Sequence, residues 1–309
     1  MKNNFHSNRA RELREKFPEL KRIPRHAPET FVLVLAVVGL QIALAKLASG
    51  IAWPWLLLLA YCVGSFVSHA LLILIHEGTH DHIFSSKNAN ILAAIVANLP
   101  LILPVAISLR YYHLFHHSHL NDVRYDGDSP SPGEVRWVGN STGRKLIWLA
   151  VFPFVMMNRS RRLGLVKVPR AWRIVNLFVE AIALAVMIPT LGGKGIAFLG
   201  LSLYLGTTLH PLGARWLQDH FVVVPGQTTN SYYGAINWVA FNIGYHNEHH
   251  DFPAAPWKYM PRIRRTCREV YGKLYTHPSW TGLLYQFLCD RRATLAGREY
   301  AGILDSTPP

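Results

Sequence analysis

Apolar positions along this chain fall into unbroken runs rather than alternating or one-face patterns, and the runs are long enough to be measured against a bilayer. A hydrocarbon core about 30 Å thick asks for about 20 apolar residues of helix. Four stretches meet that length: about Thr30 to Ser49, Trp53 to Ile75, about Trp172 to Pro189, and about Ile196 to Leu212. A short link at Gly50 joins the first two, Leu191 to Gly195 joins the last two, and a long polar stretch separates the pairs. The pattern predicts an all-α integral membrane protein with four transmembrane helices in two hairpins. A fifth apolar stretch, Ile91 to Leu109, contains Pro100 and Pro104, which lack the backbone donor a spanning helix needs in lipid. It is expected to be re-entrant or interfacial. Lys145 to Met157, with Trp148, Pro153 and an arginine cluster behind it, predicts another interfacial helix, and Arg9 to Arg25, where Leu13, Phe17, Leu20 and Ile23 alternate with charge, a surface helix. The expected layout is one domain: a leader at 1–29, a first hairpin at 30–75, a cytoplasmic and interfacial region at 76–171, a second hairpin at 172–212 and a cap at 213–309.

Composition agrees with a membrane protein. Only 16% of the 309 residues are charged, 50% are hydrophobic, and the formal net charge is +14. Three scattered cysteines, Cys62, Cys267 and Cys289, provide neither a disulfide framework nor a CxxC metal pattern. A basic balance alone would admit nucleic acid, but beside long apolar runs it points to cationic loops on an anionic leaflet, and no nucleic-acid partner is expected. Lysine and arginine number 8 before Thr30, 12 from His76 to Arg173 and 10 after Leu209, which leaves Lys46 and Lys194 for the opposite side. By the positive-inside bias both termini and the central region are cytoplasmic.

The 16 histidines cluster at the cytoplasmic ends of the predicted spans. His76-Glu77-Gly78-Thr79-His80 closes the second span as an HxxxH. His113-Leu114-Phe115-His116-His117 follows the proline-broken stretch, and His246-Asn247-Glu248-His249-His250 lies beyond the fourth span, each an HxxHH. Residues three and four apart share a helix face, so each box presents its imidazoles toward one point. Eight converging imidazoles exceed the needs of one metal, and neutral imidazole suits zinc, copper, iron or nickel rather than magnesium or calcium. His76 to His80 also satisfies HExxH, the zinc-protease pattern with Glu77 as general base, although that enzyme leaves the other boxes unexplained. A metal transporter is a further class, yet Phe31 to Ala45 and Leu56 to Ala60 offer almost no polar path. His220, after the fourth span, is a ninth candidate ligand. His69, His210, Glu77, Asp81, Glu248 and Asp251, together with His82, His119 and Asp122, are candidates to orient the ligands from behind through their second ring nitrogens. His6, His26 and His277 are expected at the surface.

The three boxes, in this order around two hairpins, resemble those of the membrane fatty acid desaturase and hydroxylase superfamily. Asn242 to Pro253 is similar to the last box of sphingolipid delta-4 desaturases, and Ser231-Tyr232-Tyr233-Gly234, Asn98-Leu99-Pro100, Ser68-His69 and the charged leader Arg11 to Lys21 extend the similarity along nearly the whole chain. The resemblance implies a centre of two iron ions that uses O2 to desaturate a lipid chain, with His76, His80, His113, His116, His117, His220, His246, His249 and His250 as ligands. It implies a lipid substrate taken from the bilayer, sphingolipid or dihydroceramide-like, and two electrons from a separate cytochrome b5-like or ferredoxin-like carrier and its reductase. The membrane would be the endoplasmic reticulum or a bacterial cytoplasmic membrane. Hydroxylation or ketolation by the same centre is the alternative outcome. The chain departs from the family pattern at Arg215, where a histidine is usual, at Asp219 and Phe221 around His220, at Asp81, and at Ser118-His119.

Overall fold

The computed structural model describes residues 5–122, 124–163 and 166–297, and the chain is mostly helical. Helix α1 (Phe5–Lys16) precedes α2 (Thr30–Ser49), which is built from Leu, Val, Ala and Ile. The buried side chain of Gln41, its one amide, donates to Ser68 Oγ at 2.9 Å. After a turn at Gly50, α3 runs as one 27-residue rod, Trp53–Thr79. At 1.5 Å per residue such a rod is about 40 Å long, more than a bilayer core, so its last turns project beyond it. The expected end at Ile75 is therefore extended to Thr79, and the first histidine box rides on the helix itself. Ala60–Gly64 in α3 forms a π turn. There Gly64 lies so close to a second helix that a Cβ would meet Ser202 Oγ at 2.1 Å and Phe198 at 2.7 Å. Small residues at such crossings let helices approach closely in lipid.

Helices α4 (Lys87–Asn98) and α5 (Ala106–Ser118) are bent against each other by 119° at the proline-containing break. Asn98 repairs the backbone that the break frees: its Oδ1 accepts from the N–H groups of Val105 (3.0 Å) and Ala106 (2.9 Å), and its Nδ2 donates to Leu103 O (2.7 Å) and to Glu180 (2.6 Å). Next come α6 (Pro132–Val138), opened by a Ser131/Glu134 capping box, α7 (Thr142–Ala150) and α8 (Phe152–Leu163). The single interfacial helix expected over Lys145 to Met157 is thus two, because Pro153 restarts the helix where it has no N–H to offer.

Helix α9 spans Arg170–Thr207 but is broken at Gly192, whose φ of 66° and ψ of 177° lie outside helical space. Lys46 donates to Thr190 O and Lys194 to Ile51 O, both at 2.9 Å, which sets this break beside the α2–α3 turn. Asn176 and Glu180, before the break, and Gly206, after it, all return toward the interior of α3 to α5: Asn176 accepts from Ile107 N and Gly206 packs on Ser65. The helix stops at Thr207, a turn earlier than expected. Thr207 and Thr208 bond back to the carbonyls of Leu203 and Tyr204, and Pro211 cannot continue the ladder. Among the described residues, three helices are long and apolar enough to cross a membrane, or four if the bent pair is counted as one. Their outer faces carry exposed Leu35, Leu47, Leu177, Phe178, Ile182 and Val186. Apolar side chains bared along whole helices match a lipid environment, in which helices must satisfy their own backbone.

The remaining residues form a cap. It comprises α10 (Arg215–Gln218), α11 (His246–Asp251), α12 (Met260–Thr266), α13 (Trp280–Cys289) and a short parallel pairing of β1 (Ser231–Tyr232) with β2 (Thr276–His277). Gln218 ties it together, accepting from Trp280 Nε1 at 2.8 Å and donating to Asn230 O. The apolar side of the leader is not turned to a membrane surface. Leu13 and Leu20 are buried with Phe252, Met260, Ile263 and Tyr271 of the cap.

Candidate metal centre

Nine histidines from four segments meet beneath the cap, in two adjoining groups. Helical spacing sets the first. His76 and His80, at i and i+4, end α3; His113 and His117, also i and i+4, lie on one face of α5; His249 reaches them from α11. One ligand nitrogen from each of these five lies within 4.8 Å of all the others. Nε2 atoms face one another directly: His80 to His113, His113 to His117 and His117 to His249 are each 3.0 Å apart. The second group is His116, His220 and His250, again within 4.8 Å, with His246 Nε2 3.1 Å from His220 Nε2. His117 and His250 stack at 4.3 Å between centroids and join the groups.

These distances suit metal ligation. Two imidazole nitrogens each about 2.1 Å from a metal and at right angles are about 3.0 Å apart, the spacing seen here. Neutral imidazoles that turn bare nitrogens toward each other repel unless a proton or a cation sits between them. Both nitrogens of His76, and Nε2 of His250, are buried without a hydrogen-bond partner. Burial among other imidazoles holds His246, His249 and His250 well below the usual histidine range, so their lone pairs are available for a metal without proton release. The donor set is all nitrogen around the first group, which suits a borderline transition metal and not a hard alkaline-earth ion.

The residues expected behind the ligands have varied placements. Glu77 accepts from His82 (3.0 Å) and from the Trp257 N–H (3.1 Å) and lies 3.8 Å from His76 Nδ1; its carboxylate anchors the cap loop to α3. Asp81, at φ 58°, is bound to Arg110 at 2.8 Å, and Arg110 also caps the end of α3 by donating to the carbonyls of Gly78 and Thr79. Glu248 accepts from Ser231 (2.9 Å) and Tyr233 (2.7 Å), and burial pushes it up to about 7. Asp251 turns away from the boxes to hold His6 (2.6 Å), Arg9 (2.6 Å) and Tyr271 (2.8 Å). His210 caps its own turn by accepting from Leu212 N, His119 bonds the Phe115 carbonyl, and Asp122 pairs with exposed Arg124. His69 is buried in α3 with neither nitrogen bonded.

Two expectations are corrected. His6 and His277 are buried, at 7% and 4% exposure, whereas His26 is exposed as expected. His6 stands 5.2 Å from His250 between ring centroids, drawn there by Asp251, and His277 is enclosed by β pairing. Sequence reasoning also missed Asp126, whose carboxylate accepts from His116 Nδ1 at 2.8 Å, with Asp128 at 3.5 Å. Its signal was there in the Asp126-Gly127-Asp128 loop, ten residues beyond the box, but only the fold returns that loop to the ring. Two of the departures, Arg215 and Asp219, prove to be one pair at 2.8 Å, with Asp219 also 3.7 Å from His246 Nδ1.

Comparison with known proteins gives a consistent result. A family model described as "Fatty acid desaturase" matches residues 50–282. The sphingolipid delta(4)-desaturase DES1 of Drosophila melanogaster is 35% identical over 287 residues, covering 92% of this chain and 89% of the relative. The sphingolipid delta(4)-desaturase/C4-monooxygenase DES2 of Homo sapiens is 36% identical over 285 residues, covering 92% and 88%.

Proposed function

Since the chain belongs to the fatty acid desaturase family and is a membrane oxidoreductase of that kind, we propose that it introduces a double bond into a sphingolipid, of dihydroceramide type, at a centre of two iron ions. The observation that carries the reading is the pair of adjoining buried imidazole groups. His76, His80, His113, His117 and His249 would hold one iron, and His116, His220, His246 and His250 the other. Held by these residues, such metals with O2 would supply an oxidation strong enough to take hydrogen from an unactivated chain. The balance is one CH2–CH2 unit, one O2, two electrons and two protons giving CH=CH and two waters.

The chain's own residues do the placing. Asp126 holds the His116 ring with Nδ1–H bound, which leaves Nε2 as the donor atom. Glu77 and His82, the latter also 3.0 Å from Pro253 O, lock the box on α3 to the loop after the box on α11. The break at Gly192 beside the α2–α3 turn supports four spans in two hairpins, and the 119° bend supports a re-entrant α4–α5 segment. Together with the lysine and arginine distribution these features support a multi-pass protein with cytoplasmic termini, in the endoplasmic reticulum or a bacterial cytoplasmic membrane. The electrons would come from a separate cytochrome b5-like or ferredoxin-like protein and its reductase, for which a basic face is a suitable dock.

Hydroxylation is the second reading, favoured by one observation: several DES2 relatives carry both delta(4)-desaturase and C4-monooxygenase in their names. The two outcomes differ in whether a second hydrogen leaves before oxygen is captured. Purified protein should contain about two irons per chain, and cells expressing it a sphingolipid about 2 Da lighter than its precursor, or about 16 Da heavier for hydroxylation. One zinc and no change in lipids would overturn both readings and restore the HExxH protease.

A further inference from the structure

Two rings of the second imidazole group have a carboxylate behind them, and the two carboxylates are held differently. Asp126 takes the Nδ1–H of His116 at 2.8 Å. Asp219 stands 3.7 Å from Nδ1 of His246, beyond hydrogen-bond reach, and its other oxygen accepts from Arg215 Nη1 at 2.8 Å. His246 Nδ1 is buried with no hydrogen-bond partner. Arg215 opens α10 and Asp219 follows its last residue, four positions on, with side chains only 12% and 7% exposed. Arg215 is fixed on a second side by Trp216, its Cζ 4.3 Å from the ring centroid. A guanidinium does not shed its proton in a protein, so a permanent cation stands beside the second group at the position where the family pattern has a histidine. After burial itself, Arg215 is the strongest influence on His246, whereas at His76 of the first group Glu77 and His82 outweigh it.

We propose that Arg215 holds down the affinity of the second imidazole group for its metal, by drawing Asp219 back from His246 and cancelling its negative charge. The inference rests on the two-metal reading above and concerns how firmly one of those metals is held. A carboxylate that accepts from the second nitrogen of a ligating histidine makes the ring a stronger donor, and an uncompensated one also attracts the ion directly. At His116 the carboxylate of Asp126 is in place to do the first. At His246 the ion pair with Arg215 opposes both effects. Arg215 has no acceptor atom with which to coordinate a metal, so it acts through Asp219 and through its own charge, as a positioning residue.

The opposite signs of the two charges provide the test. Zn2+, which imidazole binds well, is titrated into the metal-stripped full-length chain in nanodiscs against a competing chelator. Arg215→Gln releases Asp219 with its charge and should tighten the second ion about ten-fold, while Asp219→Asn leaves the cation alone and should weaken it about ten-fold. Arg215→Lys keeps a charge opposite Asp219 and should bind like wild type. Adding His220→Ala to Arg215→Gln should abolish the gain, which places it in the second group. An ion pair that only holds the fold together would lose affinity in both single variants, so shifts of the same sign, or none, overturn the assignment. A wild-type chain that takes up a single Zn2+ defeats the two-metal reading itself, and the assignment with it.

Discussion

The first imidazole group takes four of its five rings from α3 and α5, while the second takes only His116 from a long helix and the rest from His220, His246 and His250 in the cap. The first group is therefore fixed by helices that are rigid because they are long and packed on one another: α3 is held by α2, α4 and α9 along its length. The second is fixed by short turns whose positions depend on hydrogen bonds, among them Asp126 to His116 and Gln218 to Trp280. Two groups with the same donor atoms can thus differ in what keeps them in place. One relies on packing, the other on a polar network, and perturbation should separate them.

Loss of a ligand is the largest break. Both His249→Ala and His220→Ala should abolish turnover with membrane insertion intact, but His220→Ala should lower iron from about two to about one per chain, since a group of four loses more than a group of five. Metal analysis and lipid mass spectrometry on the same preparation check this; turnover retained by either variant would falsify its place in the centre. Asp126→Asn comes next. Losing the carboxylate behind His116 should weaken the second metal about 10- to 100-fold and leave the first untouched, read as one of two irons becoming chelatable. Two irons lost together would mean the groups are one site.

Asp251→Asn should act at a distance from both metals. It weakens bonds to His6, Arg9 and Tyr271 worth about 2 kcal/mol together, so limited proteolysis in the leader should speed up roughly 30-fold. An unchanged cleavage rate would show that apolar packing alone retains α1. The smallest effect is one of pH. Burial lowers His277 to about 4, against about 6.5 when unfolded. A base so depressed is neutral in the fold, so the unfolded chain gains a proton first and cap stability falls as pH drops from about 6.5 toward 4. At pH 5 the loss is at most about 2 kcal/mol, and His277→Gln should flatten the slope of protease resistance between pH 7 and 5.

This contrast also explains what could be read without a structure. The long helices and the first box followed from run length and i, i+4 spacing, both local properties, and Pro100 and Pro104 announced the bend between α4 and α5. Where local chemistry intervened, boundaries moved: Thr207 and Thr208 end a helix that hydropathy continues to Leu212, and Pro153 divides one interfacial segment into two. The cap was hardest. His220 was identified by its place after the fourth span and not by helical spacing, Asp126 was missed, and His6 was placed at the surface, because their partners lie across turns that no periodicity encodes. Asp81, Glu248 and Asp251 do adjoin boxes in sequence, yet they bind Arg110, Tyr233 and His6, since neighbours along a short helix point to different sides.

The clamp between His6 and Asp251, 245 positions apart, has a consequence for the order of events on the ribosome. The first helix emerges from the exit tunnel early and must wait for the last box before its polar face has anything to grip. Until then the centre lacks His249 of the first group and His246 and His250 of the second. On the two-iron reading, iron delivery would accordingly follow translation, since a nascent chain stalled before α11 carries only six of the nine histidines.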